Sequence, residues 1–138
     1  MNKVIKTILS LILMLSLIQC GNKDKGQTAE KYDKPNNPYL TSYAGGYTIE
    51  VKGLGNTGDV ELYVLADNGK AQWMLLKTAG RAEPEIMTRK YGTWTAKDSY
   101  MKISIDGSTG QLIEEYEMKG GVFYNKESSD RYLKRTTN

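Results

Sequence analysis

The chain has 138 residues, 19 Lys and Arg against 16 Asp and Glu, one cysteine and no histidine. Without histidine the commonest general base and the commonest metal ligand are both absent. The charges are interspersed with no sustained basic stripe, so nucleic acid is not an expected partner. The length suits one domain.

Lys3 and Lys6 open the chain, and Ile8 to Ile18 is an aliphatic run interrupted only by Ser10 and Ser16. A charged start followed by a short apolar core is the layout of an export signal. The uncharged stretch from Thr7 to Asn22 is 16 residues, short of the roughly 20 needed to cross a bilayer. Leu17 and Gln19 are not the small residues that an ordinary cleavage site requires. The run stops at "LIQC", which resembles the lipobox of bacterial lipoproteins, with Gln19 in place of the usual small residue before the cysteine. The resemblance implies that Cys20 receives lipid and becomes the first residue of the mature chain, once residues 1–19 are removed. A lone exposed thiol is a liability in an exported protein, and acylation consumes it. Two or more acyl chains, at about 0.8 kcal/mol per buried methylene, give stable membrane attachment. Gly21, in place of an aspartate after the cysteine, implies the outer membrane by the same resemblance.

Removing residues 1–19 takes away two basic residues and leaves 17 minus 16, a charge of +1. Residues 20–42 are rich in Lys, Asp, Asn and Pro and nearly free of aliphatics. They cannot bury enough apolar area to offset the entropy of ordering. They read as a flexible tether reaching on the order of 25 Å, with an ordered extension possible near Tyr39 and Leu40. The folded domain is then 43–138. It contains no cysteine, so its core must stabilise it without a disulfide.

From Gly46 the chain alternates in period two, the strand signature. "YTIEVK" sets Tyr47, Ile49 and Val51 on one face; "DVELYVLA" sets Val60, Leu62 and Val64; "YMKISID" sets Met101, Ile103 and Ile105. The expected strands are 46–52, 59–66, 70–78, 86–96, 99–105, 111–118, 121–125 and 130–136. Between them "GNTGD", "DNGK", "DGSTG" and "KGG" supply the Gly, Asn and Asp of hairpin turns. The least strand-like stretch is "RAEPEIMTRKYG", where Pro84 allows a loop or short helix instead.

Eight sequential antiparallel strands predict an all-β meander closed into a barrel or half-open barrel. Such a barrel is just wide enough for side chains or one small ligand. Short turns argue against a two-sheet sandwich. The expected inward set is Tyr47, Ile49, Val51, Leu62, Val64, Trp73, Leu75, Trp94, Met101, Ile103 and Phe123. Of these, Tyr47, Trp73, Trp94, Met101 and Phe123 are the candidates for barrel interior or ligand contact.

"AGGYTIEV", "YGTWTA" running into "YMKISID", and "DRYLKR" resemble the small lipocalin-like barrels of bacterial lipoproteins, including the N-terminal barrel of copper-homeostasis and envelope-stress lipoproteins. That family carries a C-x-x-C pair early in its barrel. "EVKGLGNTG" has none, so the copper and redox role is not implied here.

Chemistry is sparse. With Cys20 acylated no thiol nucleophile remains, and Ser99, Ser108, Ser128 and Ser129 lie in turn contexts without a base partner. Of the carboxylates Glu114, Glu115 and Glu117, Glu115 and Glu117 share a strand face, and the set has the character of a solvated surface flanking Ile113. "DNGK" and "DGSTG" lack the spaced ligands of a calcium loop. "GLGNTG" is followed by a strand, not by the helix of a phosphate-binding loop. The expectation is a non-enzymatic, cofactor-free, membrane-anchored envelope lipoprotein that binds a small apolar ligand or a peptide. The alternative is a structural or assembly accessory that docks another envelope protein through its outer face.

Overall fold

The structure, a computed structural model, describes residues 36–54, 58–78 and 83–136. The expected signal segment, Cys20 and the tether up to residue 35 lie outside the described residues. A short helix α1 (Pro38–Tyr43) precedes eight strands: β1 (Gly45–Val51), β2 (Asp59–Leu65), β3 (Lys70–Lys77), β4 (Glu85–Lys97), β5 (Tyr100–Gly107), β6 (Gly110–Lys119), β7 (Val122–Asn125) and β8 (Arg131–Arg135). Each strand pairs antiparallel with the next, and β8 returns to β1, giving a closed barrel. The fold is the all-β eight-stranded meander expected from the alternation and the turns.

The segment around Pro84 is strand from Glu85 onward. Proline cannot donate to a ladder, and here it stands just outside one. One extra residue is absorbed in a bulge: Leu75 pairs with Thr88 but Leu76 pairs with Ile86, which leaves Met87 unopposed. Bulges of this kind bend a strand and raise its local twist, as closure of a barrel requires.

Register decides which face of each strand is inside. Tyr47 lies opposite Tyr63 and Thr48 opposite Leu62. Tyr63 and Leu65 therefore share the interior with Tyr47, Ala71, Trp94, Ala96, Met101, Ile103, Ile105, Tyr116, Phe123 and Leu133, and this is the main core. Leu62 and Val64, expected inside, face outward. Both faces of β2 are aliphatic or aromatic, so alternation alone does not choose between them, and pairing with β1 does. On the outer wall Leu62 joins Met74 and Leu76, with Val60, Val64 and Ile86 packed around them, in a separate buried cluster.

Two glycine-dependent contacts fix the waist of the barrel. A Cβ on Gly92 would lie 1.9 Å from the Ser104 carbonyl oxygen and 2.8 Å from Ile105 Cα, so β4 and β5 approach to a distance only glycine allows. Gly69 turns the β2–β3 hairpin with φ 82°, a region costly for other residues. Its carbonyl accepts the Trp94 amide at 2.8 Å. Trp94 Nε1 donates to the Ala66 carbonyl at 2.8 Å, so this one indole joins β4 to the preceding hairpin.

The last turn of the expected tether is ordered. Asn37 caps α1, its side chain accepting from the Tyr39 amide at 3.0 Å, and Pro38 follows at the start of the helix, where a missing N–H costs nothing. The same Asn37 donates to the Ala96 carbonyl at 2.9 Å. Leu40 enters the main core, and Tyr43 meets Phe123 edge to face at 5.0 Å. α1 is thus a lid on one end of the barrel.

Candidate functional site

The two ends of the barrel receive different side chains. At the lidded end the inward positions of β1, β2, β3, β4 and β7 are Tyr47, Leu65, Ala71, Ala96 and Phe123, all buried. Tyr47 carries a hydroxyl, and it donates to the Tyr43 carbonyl at 2.7 Å. Among the described residues the one charge on this side is Arg135 at the rim, opposite Tyr47, whose Nη2 donates to the Ala44 carbonyl at 2.7 Å; the packed base is otherwise apolar.

At the opposite end the same inward faces carry charge. Tyr63 opposite Trp73, and Trp73 opposite Lys90, put Trp73 and Lys90 on the inward side of β3 and β4. Two residues along from Tyr63, Tyr116 and Leu133 stand Glu61, Glu114 and Arg131. Arg131 Nη2 lies 3.1 Å from Glu114 Oε1 and 3.5 Å from Glu61 Oε2. Glu114 Oε2 accepts from the Tyr63 hydroxyl at 2.7 Å and from the Tyr116 hydroxyl at 2.5 Å. Trp73 Nε1 donates to Glu61 Oε2 at 3.4 Å, and Lys90 Nζ sits over the Trp73 ring, 5.4 Å from its centroid.

Exposure grades along this cluster. The Glu114 side chain retains 12% of its accessible surface, Arg131 25% and Glu61 40%. Inward-facing charges that keep contact with water place the hydrated end of the barrel, its mouth, away from α1; of the connections at that end, 55–57 and 79–82 lie outside the described residues. A buried charge is tolerated only when paired and hydrogen-bonded, and Glu114 satisfies this with one guanidinium and two hydroxyls.

Electrostatics follow the geometry. Burial, then the adjacent Glu114 carboxylate, pushes the hydroxyls of Tyr63 and Tyr116 well above the ordinary tyrosine value, because a second negative charge there would be desolvated and repelled. Arg131 is desolvated, which alone disfavours its charge. Glu114, Tyr116 and Glu61 outweigh this and hold the guanidinium protonated above its usual value.

Of the five sequence-derived candidates, Tyr47, Trp94, Met101 and Phe123 lie buried in the main core, and Trp73 is partly buried against it at the mouth. Sequence reading did not single out Glu61 and Arg131, and it assigned Glu114 to a solvated face, whereas the register turns Glu114 inward opposite Ile103. Their signal is a charge two positions before an inward residue, in "ELY", "EEY" and "RYL". Glu115 and Glu117, by contrast, lie on the outer face, where Glu115 pairs with Lys126 at 3.1 Å. Also outside, Lys52, Lys119, Lys126 and Tyr124 border an open groove of about 500 Å³. Two of its cations are engaged locally: Lys52 lies 5.2 Å from the Tyr124 ring centroid and Lys126 is paired with Glu115.

Among the described residues no group of His, Cys, Asp or Glu is arranged to hold a metal ion. Comparison with protein-family models, with curated proteins and with solved structures finds no match to this chain.

Proposed function

We propose that the protein is a lipid-anchored envelope lipoprotein and a non-catalytic binding module, tethered through Cys20, that takes a small ligand or the end of a peptide at the open mouth of its barrel. The observation that carries this reading is the inward-facing, partly hydrated cluster of Glu61, Arg131 and Glu114. Replacing a buried ion pair by well-packed apolar residues is often neutral or stabilising, so three charges inside a small barrel are better explained by recognition than by stability. The packed aromatic base argues against a deep apolar cup and restricts the ligand to the upper, polar half.

The test is native mass spectrometry of the full chain released from membranes of its host. A bound small molecule should be seen, and Leu112→Trp, a change at the exposed inward position opposite Ile105, should abolish it by filling the mouth. Retention of the same molecule by Leu112→Trp removes the mouth as the site. The anchor is tested separately: palmitate labelling should be lost in Cys20→Ser, and equal labelling of that variant overturns the tether.

A second reading, an accessory that docks an envelope protein through its outer face, is favoured by the aliphatic wall of β2–β4. On that wall Leu62, Met74 and Leu76 are buried with Val60, Val64 and Ile86 packed around them, an apolar outer surface of the kind a protein partner would engage. Crosslinking from Val60 would recover such a partner.

A further inference from the structure

The two carboxylates flanking Arg131 are held very differently. Glu114 is fixed by three contacts between 2.5 and 3.1 Å. Glu61 is the more exposed of the two, and its Oε2 is reached only by Trp73 Nε1 at 3.4 Å and Arg131 Nη2 at 3.5 Å. Both distances lie at the weak edge of hydrogen bonding, well beyond the 2.7–2.9 Å of a good charge-assisted pair. Arg131 Nε, meanwhile, is buried with no hydrogen-bond partner. A buried donor left unmade is costly, and it leaves Arg131 with hydrogen-bonding capacity that neither carboxylate uses.

We propose that the mouth binds a ligand through a carboxylate, and that the Glu61 side chain is a displaceable occupant of that carboxylate's place. The inference rests on the mouth being a binding site. When Glu61 swings outward, Arg131 and Lys90 face Glu114 alone, so the mouth gains one net positive charge. The donors left available are the Arg131 N–H groups that Glu114 does not take, on a planar guanidinium suited to a carboxylate, and Trp73 N–H. At the same end of the barrel the Trp73 ring and the exposed Leu112 offer apolar surface. The ligand class is therefore a carboxylate carried next to an apolar group. A free medium-chain carboxylic acid and the C-terminus of an apolar peptide share that chemistry.

Displacement of a like-charged side chain sets the expected sign of each variant. Glu61→Gln keeps the shape but removes the competing charge, and should tighten carboxylate binding about tenfold or more. Lys90→Met should weaken it several-fold without lowering the melting temperature, since Lys90 is exposed and contributes through its charge.

The experiment is calorimetric titration of the full chain in lipid nanodiscs, against empty nanodiscs, with four probes: hexanoate, hexanamide, and the peptide acetyl-Leu-Leu with a free or an amidated C-terminus. The proposal expects acid to bind over amide in at least one pair, with Glu61→Gln tighter and Lys90→Met weaker. Preference for hexanoate identifies a free acid; preference confined to the free-ended peptide identifies a chain terminus. Equal binding of acid and amide, or no gain in Glu61→Gln, overturns the carboxylate assignment while the mouth remains a binding site. No binding of any probe to either the parent or Glu61→Gln overturns the proposal, and survival of a host-derived ligand in native mass spectrometry then shows whether the mouth itself still stands.

Discussion

The two ends of this barrel are built from the same strands by opposite rules. At the base, inward aromatics and aliphatics meet a helical lid and exclude water, so its stability comes from area and shape. At the mouth, inward carboxylates and an arginine are held by one another and remain partly wet. Moving two residues along β2, β6 or β8 changes the environment from packed to charged. Apolar packing is concentrated at one end of a single tube, and charge at the other.

The largest test acts on both ends together. Gly92→Ala places a Cβ within 1.9 Å of the Ser104 oxygen, and the obstacle is backbone, which cannot rotate aside. The variant should show no cooperative thermal transition by near-UV circular dichroism; a normal melt would mean that β4 and β5 separate without loss of closure.

At the base, Trp94→Ala removes a core indole and leaves the Ala66 carbonyl without its donor. Core Trp to Ala changes cost about 3–5 kcal/mol, close to the whole stability of many small domains, about 5–15 kcal/mol. Denaturant unfolding should show a protein largely unfolded near room temperature. A melt like that of the parent would move Trp94 out of the core and give the base to ligand binding.

At the mouth the effects are expected to be smaller. Glu114→Gln leaves Arg131 without its close carboxylate and should cost about 1–3 kcal/mol, read from the same unfolding curves. A loss as large as that of Trp94→Ala would erase the contrast between the two ends.

Alkaline pH probes the mouth through its two tyrosines, with Tyr47 at the base shifted upward by burial in the same direction. The unfolded chain releases both phenol protons above the ordinary value of 10.0, whereas burial beside Glu114 keeps them on the folded state. Stability should therefore be complete below pH 10 and fall as pH rises past it, by about 1.4 kcal/mol per pH unit for each tyrosine. Tyr63→Phe and Tyr116→Phe should each flatten the slope measured by urea unfolding from pH 9 to 11.5.

The smallest expected effect is that of Glu61→Gln on stability, within about 0.5 kcal/mol because the group is well exposed. Glu115→Gln, on the outer face, should leave the melting temperature unchanged. A marked loss from Glu61→Gln would show Glu61 to be as structural as Glu114.

The contrast between the ends also explains what could be read from sequence. Strands and turns were legible because "YTIEVK" and "YMKISID" alternate cleanly and "DNGK" or "KGG" punctuate them. The face assignment of β2 was not, since "VELYVL" carries apolar residues in both phases and only the opposition of Tyr47 to Tyr63 selects one. On β6, Leu112 and Ile113 straddle both faces at the rim, which hides that Glu114 shares its side with Tyr116 and Met118. The charged mouth needed three strands to be brought into register before Glu61, Glu114 and Arg131 could be recognised as neighbours.

The lid has a mechanical consequence. α1 leads into β1 at the base, and β8 ends there too, with Thr136 donating to the Gly46 carbonyl at 2.9 Å. The described chain enters and leaves through the same end. A pull applied upstream, as by an anchor at Cys20, is thus delivered to the floor of the vessel and not to its opening. Under such a load the barrel is held by its base, and the strand ends at the mouth carry none of the force directly.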